Sequence, residues 1–128
     1  MTHRSRLAGF ILDCKRSSLE SSADFWSQAL GLEVLDYNEG GEGIYAPLSE
    51  GPGGLHIEVQ KVSHPSRVHL DIETDDIEAE VSRLEKLGAK RVECVRERWW
   101  VMEAPSGHRF CVVPMPARSG RQKPNLWK

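Results

Sequence analysis

Residues 17–35 read SSLESSADFWSQALGLEVL, and residues 75–95 read DDIEAEVSRLEKLGAKRVECV. The two stretches follow one plan. In each, apolar residues recur every three or four positions, which predicts an amphipathic helix. Each helical run ends at a glycine, Gly31 in the first and Gly88 in the second, and an extended pattern follows. The matching order indicates an internal duplication.

The start of each predicted helix carries a capping pattern, Ser17-x-x-Glu20 in the first half and Asp75-x-x-Glu78 in the second. The predicted buried stripes consist of Leu19, Ala23, Trp26 and Leu30, and of Ile77, Val81, Leu84 and Leu87.

Strand patterns surround both helices. In the first half they cover residues 11–13, 32–35, 43–46 and 55–60, and in the second 68–72, 91–95, 99–102 and 110–113. Each half therefore reads β-α-β-β-β. We expect an α+β fold in which two βαβββ modules form a curved mixed sheet around a cavity, with the helices outside.

Composition bounds the class of protein. The chain has 128 residues, 39% of them hydrophobic, and a net charge of −2, so it is an ordinary globular chain without the basic field typical of nucleic-acid binding. Its three cysteines have no CxxC spacing, which favours free thiols in the cytoplasm. We expect neither a membrane-spanning segment nor a leader peptide. We expect a cytoplasmic protein that binds neither membrane nor nucleic acid.

The stretches FWSQALGLEV, VSRLEKLGAKRV, VHLDIETDD and APSGHRFCVV, with the duplication, resemble the glyoxalase/bleomycin-resistance/extradiol-dioxygenase (vicinal oxygen chelate) superfamily, and in particular its glyoxalase-like domains. The resemblance implies a cavity for a small organic ligand, and a homodimer is expected because relatives often assemble. Whether the cavity forms within one chain or across two stays open. The division expected is an extension at 1–6, a domain at 7–114 with modules at 7–62 and 66–114, and a basic tail at 115–128.

Strand alternation selects the candidate site residues. Along the strands predicted at residues 55–60 and 68–72, polar side chains share one face, and the apolar face should pack under a helix. The polar faces then line the cavity or, alternatively, look into water. They carry His56, Glu58 and Gln60 on one strand, and His69 and Asp71 on the other.

Metal-dependent members of the superfamily hold their ion near the start of each module's first strand and on its last strand. His69 matches the first-strand position of the second module, and Glu58 matches the last-strand position of the first. The last-strand position of the second module is Cys111. The first-strand position of the first module falls at residues 11–12, whose side chains have no atom that could bind a metal. We expect a metal-free pocket; the alternative is a divalent metal bound by His69 and Glu58. His56 could complete that ligand set.

Aromatic residues supply the apolar part of the predicted pocket. Trp99 and Trp100 are adjacent on one strand and point to opposite faces, so Trp100 is assigned to the cavity, with Tyr45 as its counterpart.

If the protein is an enzyme, Glu58 or His69 is the predicted general base, and lyase or isomerase chemistry by proton abstraction is the expected class. A dioxygenase is a further possibility within the superfamily. The alternative is a non-catalytic binder of a small molecule or antibiotic, as in bleomycin-resistance proteins. Residues assigned to ligand binding without catalysis are His56, Gln60, Asp71, Tyr45, Trp100 and Cys111.

The C-terminal tail carries four basic residues and no acid: Arg118, Arg121, Lys123 and Lys128. It is predicted to be a solvated end or, because it contains Trp127, an arm that grips a partner subunit or an anion.

Overall fold

The computed structural model describes residues 2–116 and 123–128. Within them lie eight strands and two α-helices: β1 His3–Cys14, α1 Leu19–Leu30, β2 Tyr45–Pro47, β3 His56–Lys61, β4 Arg67–Thr74, α2 Ile77–Lys86, β5 Lys90–Val95, β6 Trp99–Glu103, β7 Arg109–Pro114 and β8 Asn125–Trp127. Both parallel and antiparallel strand pairs occur. The predicted α+β class with mixed strand pairing is therefore confirmed.

The chain divides into two compact units. The first unit is Gly9–Val68, and the second is Met1–Ala8 together with His69–Lys128. Strands β1 and β4 each begin in one unit and end in the other.

In the first unit, β3 pairs with β1 in parallel and with β2 in antiparallel fashion. One face of these strands packs against α1. The buried core there consists of Leu12, Leu19, Ala23, Ala46, Leu48, Ile57 and Val59. The strand predicted at 32–35 is reduced to a single bridge between Val34 and Leu48.

In the second unit the strands run in the order β4-β7-β6-β5, and β8 pairs with the start of β1. This half has the complete βαβββ plan. Helix α2 covers one face of its strands. The buried core consists of Val81, Leu84, Met102, Phe110 and Val112.

Both helix caps lie one residue later than predicted. Ser18 rather than Ser17 accepts the hydrogen bond from an amide of the first turn of α1, because Ser17 has a left-handed backbone (φ 68°). Asp76 rather than Asp75 caps α2, because the Asp75 carboxylate accepts the amide of Arg4 instead.

The helix ends agree more closely with the sequence. Gly31 ends α1 in the left-handed conformation, as predicted. The prediction that the last residue of each stripe is buried is wrong, because Leu30 and Leu87 lie at the ends of the helices and are 43% and 68% exposed.

A buried ionic network joins α2 to the strand β1 in the second unit. Glu80 is fully buried and accepts hydrogen bonds from Arg83 through Nε and Nη2, both at 2.8 Å, while His3 Nε2 lies 2.7 Å from its Oε1. The Arg83 guanidinium stacks on the ring of Trp127, 3.8 Å from its centroid. Trp127 in turn donates to Ser5 Oγ at 2.8 Å.

The end of the tail is a strand that pairs with β1 of the same chain, which neither alternative predicted, and contact with a partner subunit or an anion stays a prediction. Arg118 and Arg121 lie outside the described residues. No described helix is both long and apolar enough to cross a membrane.

Candidate functional site

A cluster of ionisable side chains lies on β3 of the first unit. Along this strand Ile57 and Val59 point to the core under α1, so His56 and Glu58 point to the opposite face, as the alternation predicted. Glu58 is nevertheless only 7% exposed. His56 Nε2 lies 2.8 Å from Glu58 Oε1 and can donate its hydrogen to it.

The second oxygen of Glu58, Oε2, is buried and receives no hydrogen bond from an N–H or hydroxyl group of the part of the chain that the structure describes. A buried carboxylate oxygen without such a donor is costly unless a proton or a ligand satisfies it.

Glu39 brings a second carboxyl group to this cluster. Its backbone amide donates to Tyr45 O at 2.8 Å, which holds the loop beside β2. The pKa of Glu39 is raised, first by partial burial and then by its hydrogen bond to Glu58 and repulsion from that carboxylate. We call Glu39, His56 and Glu58 the carboxyl cluster.

Two further predicted residues lie on the face of the carboxyl cluster. Tyr45 on β2 pairs directly with Gln60 on β3, and cross-strand partners share a face. Both side chains are half-buried.

The second unit contains another cluster, made by β4 and β7. His69, Asp71 and Cys111 each offer a donor atom, and these atoms lie within 4.8 Å of one another. Asp71 pairs with Cys111 across the two parallel strands, and His69 is two residues before Asp71 on the same face. His69 Nε2 is 3.6 Å from Asp71 Oδ1, and both side chains are largely buried. We call these three residues the thiol cluster.

Trp100 is not part of that cluster, so its assignment to the pocket is wrong. Trp100 pairs with Val112, a core residue, and packs against the core under α2, whereas Cys111 pairs with Val101 and faces the other way. The Arg91 guanidinium lies over the Trp100 ring at 5.0 Å.

The strand register also corrects the position that was expected to match His69 in the first half. Ile11 pairs with Glu58 in one unit as Asp71 pairs with Cys111 in the other, so the counterpart of His69 is Gly9 rather than residues 11–12. Gly9 is opposite His56, and a Cβ there would lie 1.8 Å from the His56 carbonyl oxygen.

Sequence reasoning missed Glu39. It lies in a glycine-rich loop with no periodic pattern, and its backbone hydrogen bond to Tyr45 brings it to β2. Asp71 was assigned to ligand binding, whereas the structure groups it with possible metal ligands. That Glu58 and His69 act in one cavity stays a prediction, since the two residues belong to different units.

Solved structures share this fold at low identity. A methylmalonyl-CoA epimerase from Mycobacterium tuberculosis is 16% identical with a TM-score of 0.62, over 86% of this chain and 88% of that one. A hypothetical protein from Bacillus halodurans is 15% identical with a TM-score of 0.64, over 90% and 97%. Homoprotocatechuate 2,3-dioxygenase from B. fuscum is 16% identical with a TM-score of 0.58, over 92% of this chain but 34% of that one.

Proteins of curated function gave no significant match. The family model described as glyoxalase-like domain, by contrast, matches residues 9–113, which is most of the chain. Together with the shared fold, this match shows that the chain belongs to the glyoxalase-like domain family of the vicinal oxygen chelate superfamily.

Proposed function

We propose that this protein binds a small organic molecule and catalyses proton transfer at a carbon next to a carbonyl group, as an isomerase or lyase. Glu58 is the proposed base. The observation that carries the proposal is the carboxyl cluster, in which a buried carboxylate has an imidazole on one side and a second carboxyl group beside it.

The three residues divide the work of a proton transfer. His56 donates to Oε1 of Glu58 and so fixes the orientation of the carboxylate. Glu58 takes the proton from the substrate carbon, and the electron pair of the broken C–H bond moves into the carbonyl group to give an enolate. Return of a proton to that carbon completes an isomerisation, and Glu39, whose pKa is raised, is the second carboxyl group of the cluster.

The structural neighbours are compatible with this class of reaction but do not select it. One is an epimerase, whose reaction inverts a stereocentre, and another is a dioxygenase. Because sequence identities near 16% show only a shared fold, the proposal depends on the carboxyl cluster itself.

The thiol cluster fits a divalent metal of the zinc type. An imidazole nitrogen, a carboxylate oxygen and a thiolate sulfur are all zinc ligands, and the donors of His69, Asp71 and Cys111 are close enough to share one ion. A bound ion would polarise a carbonyl oxygen. The proposed roles of Glu58, His56 and Glu39 do not require it.

Deuterium exchange in heavy water tests the proposed reaction. The purified protein is incubated in D₂O with methylmalonyl-CoA and, separately, with pyruvate, and deuterium at the acidic carbon is measured by mass spectrometry. We expect exchange above the buffer rate for at least one of these probes. Glu58→Gln should slow that exchange by about two orders of magnitude or more, because a positioned base contributes that much.

Glu33→Gln is the matched control, since Glu33 is an exposed glutamate of the same unit outside the cluster. Equal rates for the two variants would contradict the assignment of Glu58. Saturable binding of a probe without any exchange would instead favour the non-catalytic binder.

The homodimer implied by the family stays a prediction. Light scattering of the purified chain measures its mass directly, against 14.4 kDa for one copy.

A further inference from the structure

A pocket of about 510 Å³ opens at one end of α1 in the first unit. It lies where the end of β1, the first turns of the helix and the start of β4 meet. Its polar wall consists of Asp13, Arg16, Ser17, Ser21, Ser22, Ser66 and Arg67, and its apolar wall of Leu12, Cys14, Phe25, Trp26 and Val68. Its volume falls in the range of small-molecule sites.

The residues that line this pocket are all outside the carboxyl cluster, although one of them, Asp13, lies opposite Gln60 on the face that carries the cluster. Leu12 and Cys14 of β1 pack with the core under α1, and they line the pocket. Glu58 lies on the face away from α1 and is absent from the lining. The pocket therefore does not belong to the proposed catalytic site.

The polar wall carries excess positive charge. Of the described residues that line it, Asp13 alone is acidic, and Arg67 Nε lies 3.7 Å from its carboxylate. Arg16 makes no hydrogen bond or ion pair with any residue in the described part of the chain. Just outside the lining, Lys61 Nζ donates to Ser17 O at 2.7 Å. A guanidinium without a protein partner beside a pocket is suited to a planar anion such as a carboxylate.

The apolar wall offers aromatic surface. Phe25 is 61% exposed although it is a large apolar side chain, and its ring meets that of Trp26 edge to face, with 5.0 Å between centroids. Val68, which lines the pocket next to Arg67, is 53% exposed. Exposed aromatic and aliphatic groups that converge on a concave surface favour a flat apolar ligand.

We propose that this pocket binds a small aromatic carboxylate. The carboxylate would pair with Arg16, and the ring would lie against Phe25 and Trp26. Both features are needed: the guanidinium selects an anion, and the aromatic wall selects its planar body.

Calorimetric titration with 2-naphthoate tests the proposal, with the uncharged 2-naphthamide as the matched probe. We expect saturable binding of naphthoate to one site per chain and binding of the amide that is about tenfold weaker. Arg16→Gln should weaken naphthoate binding by about the same factor and leave the amide unchanged. Phe25→Ala should weaken both probes.

Arg98→Gln is the control, because Arg98 is an exposed arginine of the second unit. Arg16 and Phe25 are both exposed, so their variants should fold, which circular dichroism verifies. Failure of naphthoate to saturate at millimolar concentration would overturn the proposal, as would equal affinities for Arg16→Gln and Arg98→Gln. Unchanged naphthoate binding by Glu58→Gln would support a site separate from the carboxyl cluster, and its loss would contradict that separation.

Discussion

Replacement of Glu80 by glutamine tests the buried ionic network of the second unit. The variant keeps the shape of the side chain but removes the negative charge that accepts hydrogen bonds from Arg83 and lies beside His3. Loss of one partner from a buried ion pair costs about 3–5 kcal/mol. Because the Arg83 side chain is 25% exposed and regains some hydration, we expect the lower end, about 3 kcal/mol. For a chain of this size that corresponds to a melting temperature lower by roughly 10 °C.

The pH dependence of this effect has a definite sign. Burial alone would raise the pKa of Glu80, but the hydrogen bonds from Arg83, His3 and Ser5 outweigh it and lower the pKa. A carboxyl group whose pKa is lowered by folding stabilises the protein above its unfolded pKa, and that contribution disappears as the pH falls through the folded value. The stability difference between wild type and Glu80→Gln should therefore be full near pH 7 and shrink below about pH 4.

Urea unfolding followed by circular dichroism measures both effects. Glu78→Gln is the matched control, since Glu78 lies on the same helix and is also paired with an arginine, Arg91, but is 68% exposed. An exposed pair contributes at most about 1 kcal/mol. If Glu80→Gln proves as mild as Glu78→Gln, or if its cost is independent of pH, the reasoning from burial is refuted.

Three further predictions concern the strand contact at Gly9 and the two clusters. Gly9→Ala should lower the free energy of unfolding by more than about 3 kcal/mol, because its methyl group would collide with the His56 backbone. Gly40→Ala is the control and should cost about 1 kcal/mol, since a Cβ at Gly40 would lie in open space; similar urea midpoints for the two variants would contradict the prediction. A carboxyl group whose pKa is raised by folding makes the folded protein less stable as the pH rises through that value. Glu39→Gln should therefore be more stable than wild type near pH 7 and equal to it near pH 4, and a constant difference across a pH series of urea midpoints would contradict this. Co²⁺ added to the protein should produce a thiolate-to-metal absorption band, because Cys111 supplies a thiolate ligand. Cys111→Ala should abolish this band, and Cys94→Ala, at an exposed cysteine, should leave it unchanged. A band that survives in Cys111→Ala would exclude the thiol cluster as its source.

Local patterns predicted the parts of this fold that depend on neighbouring residues. The glycine stop at Gly31 and the alternation along β3 are set by backbone conformation and by which side chains must leave water, and both are visible in the sequence. The same rules could not decide which face of β6 would carry Trp100. Adjacent strand residues point opposite ways, and only the pairing with Val112 settles the choice.

The sequence was least informative where the chain lacks a period. The loop that carries Glu39 has several glycines and no stripe, so nothing local indicates that its carboxyl group reaches Glu58. The thiol cluster similarly depends on the register between β4 and β7, which places Asp71 directly opposite Cys111. Both clusters combine residues that are distant in sequence, and such proximity is set by tertiary pairing rather than by propensity.

The close approach of β1 to β3 at Gly9 limits how the first half could be redesigned. A protein engineer who wished to give it the imidazole that the second half carries at His69 would naturally replace Gly9 by histidine. The neighbouring backbone already fills the space where the first side-chain carbon would go. Such a graft would have to push two hydrogen-bonded strands apart, so any added donor for this half would have to come from a side chain outside that tight crossing.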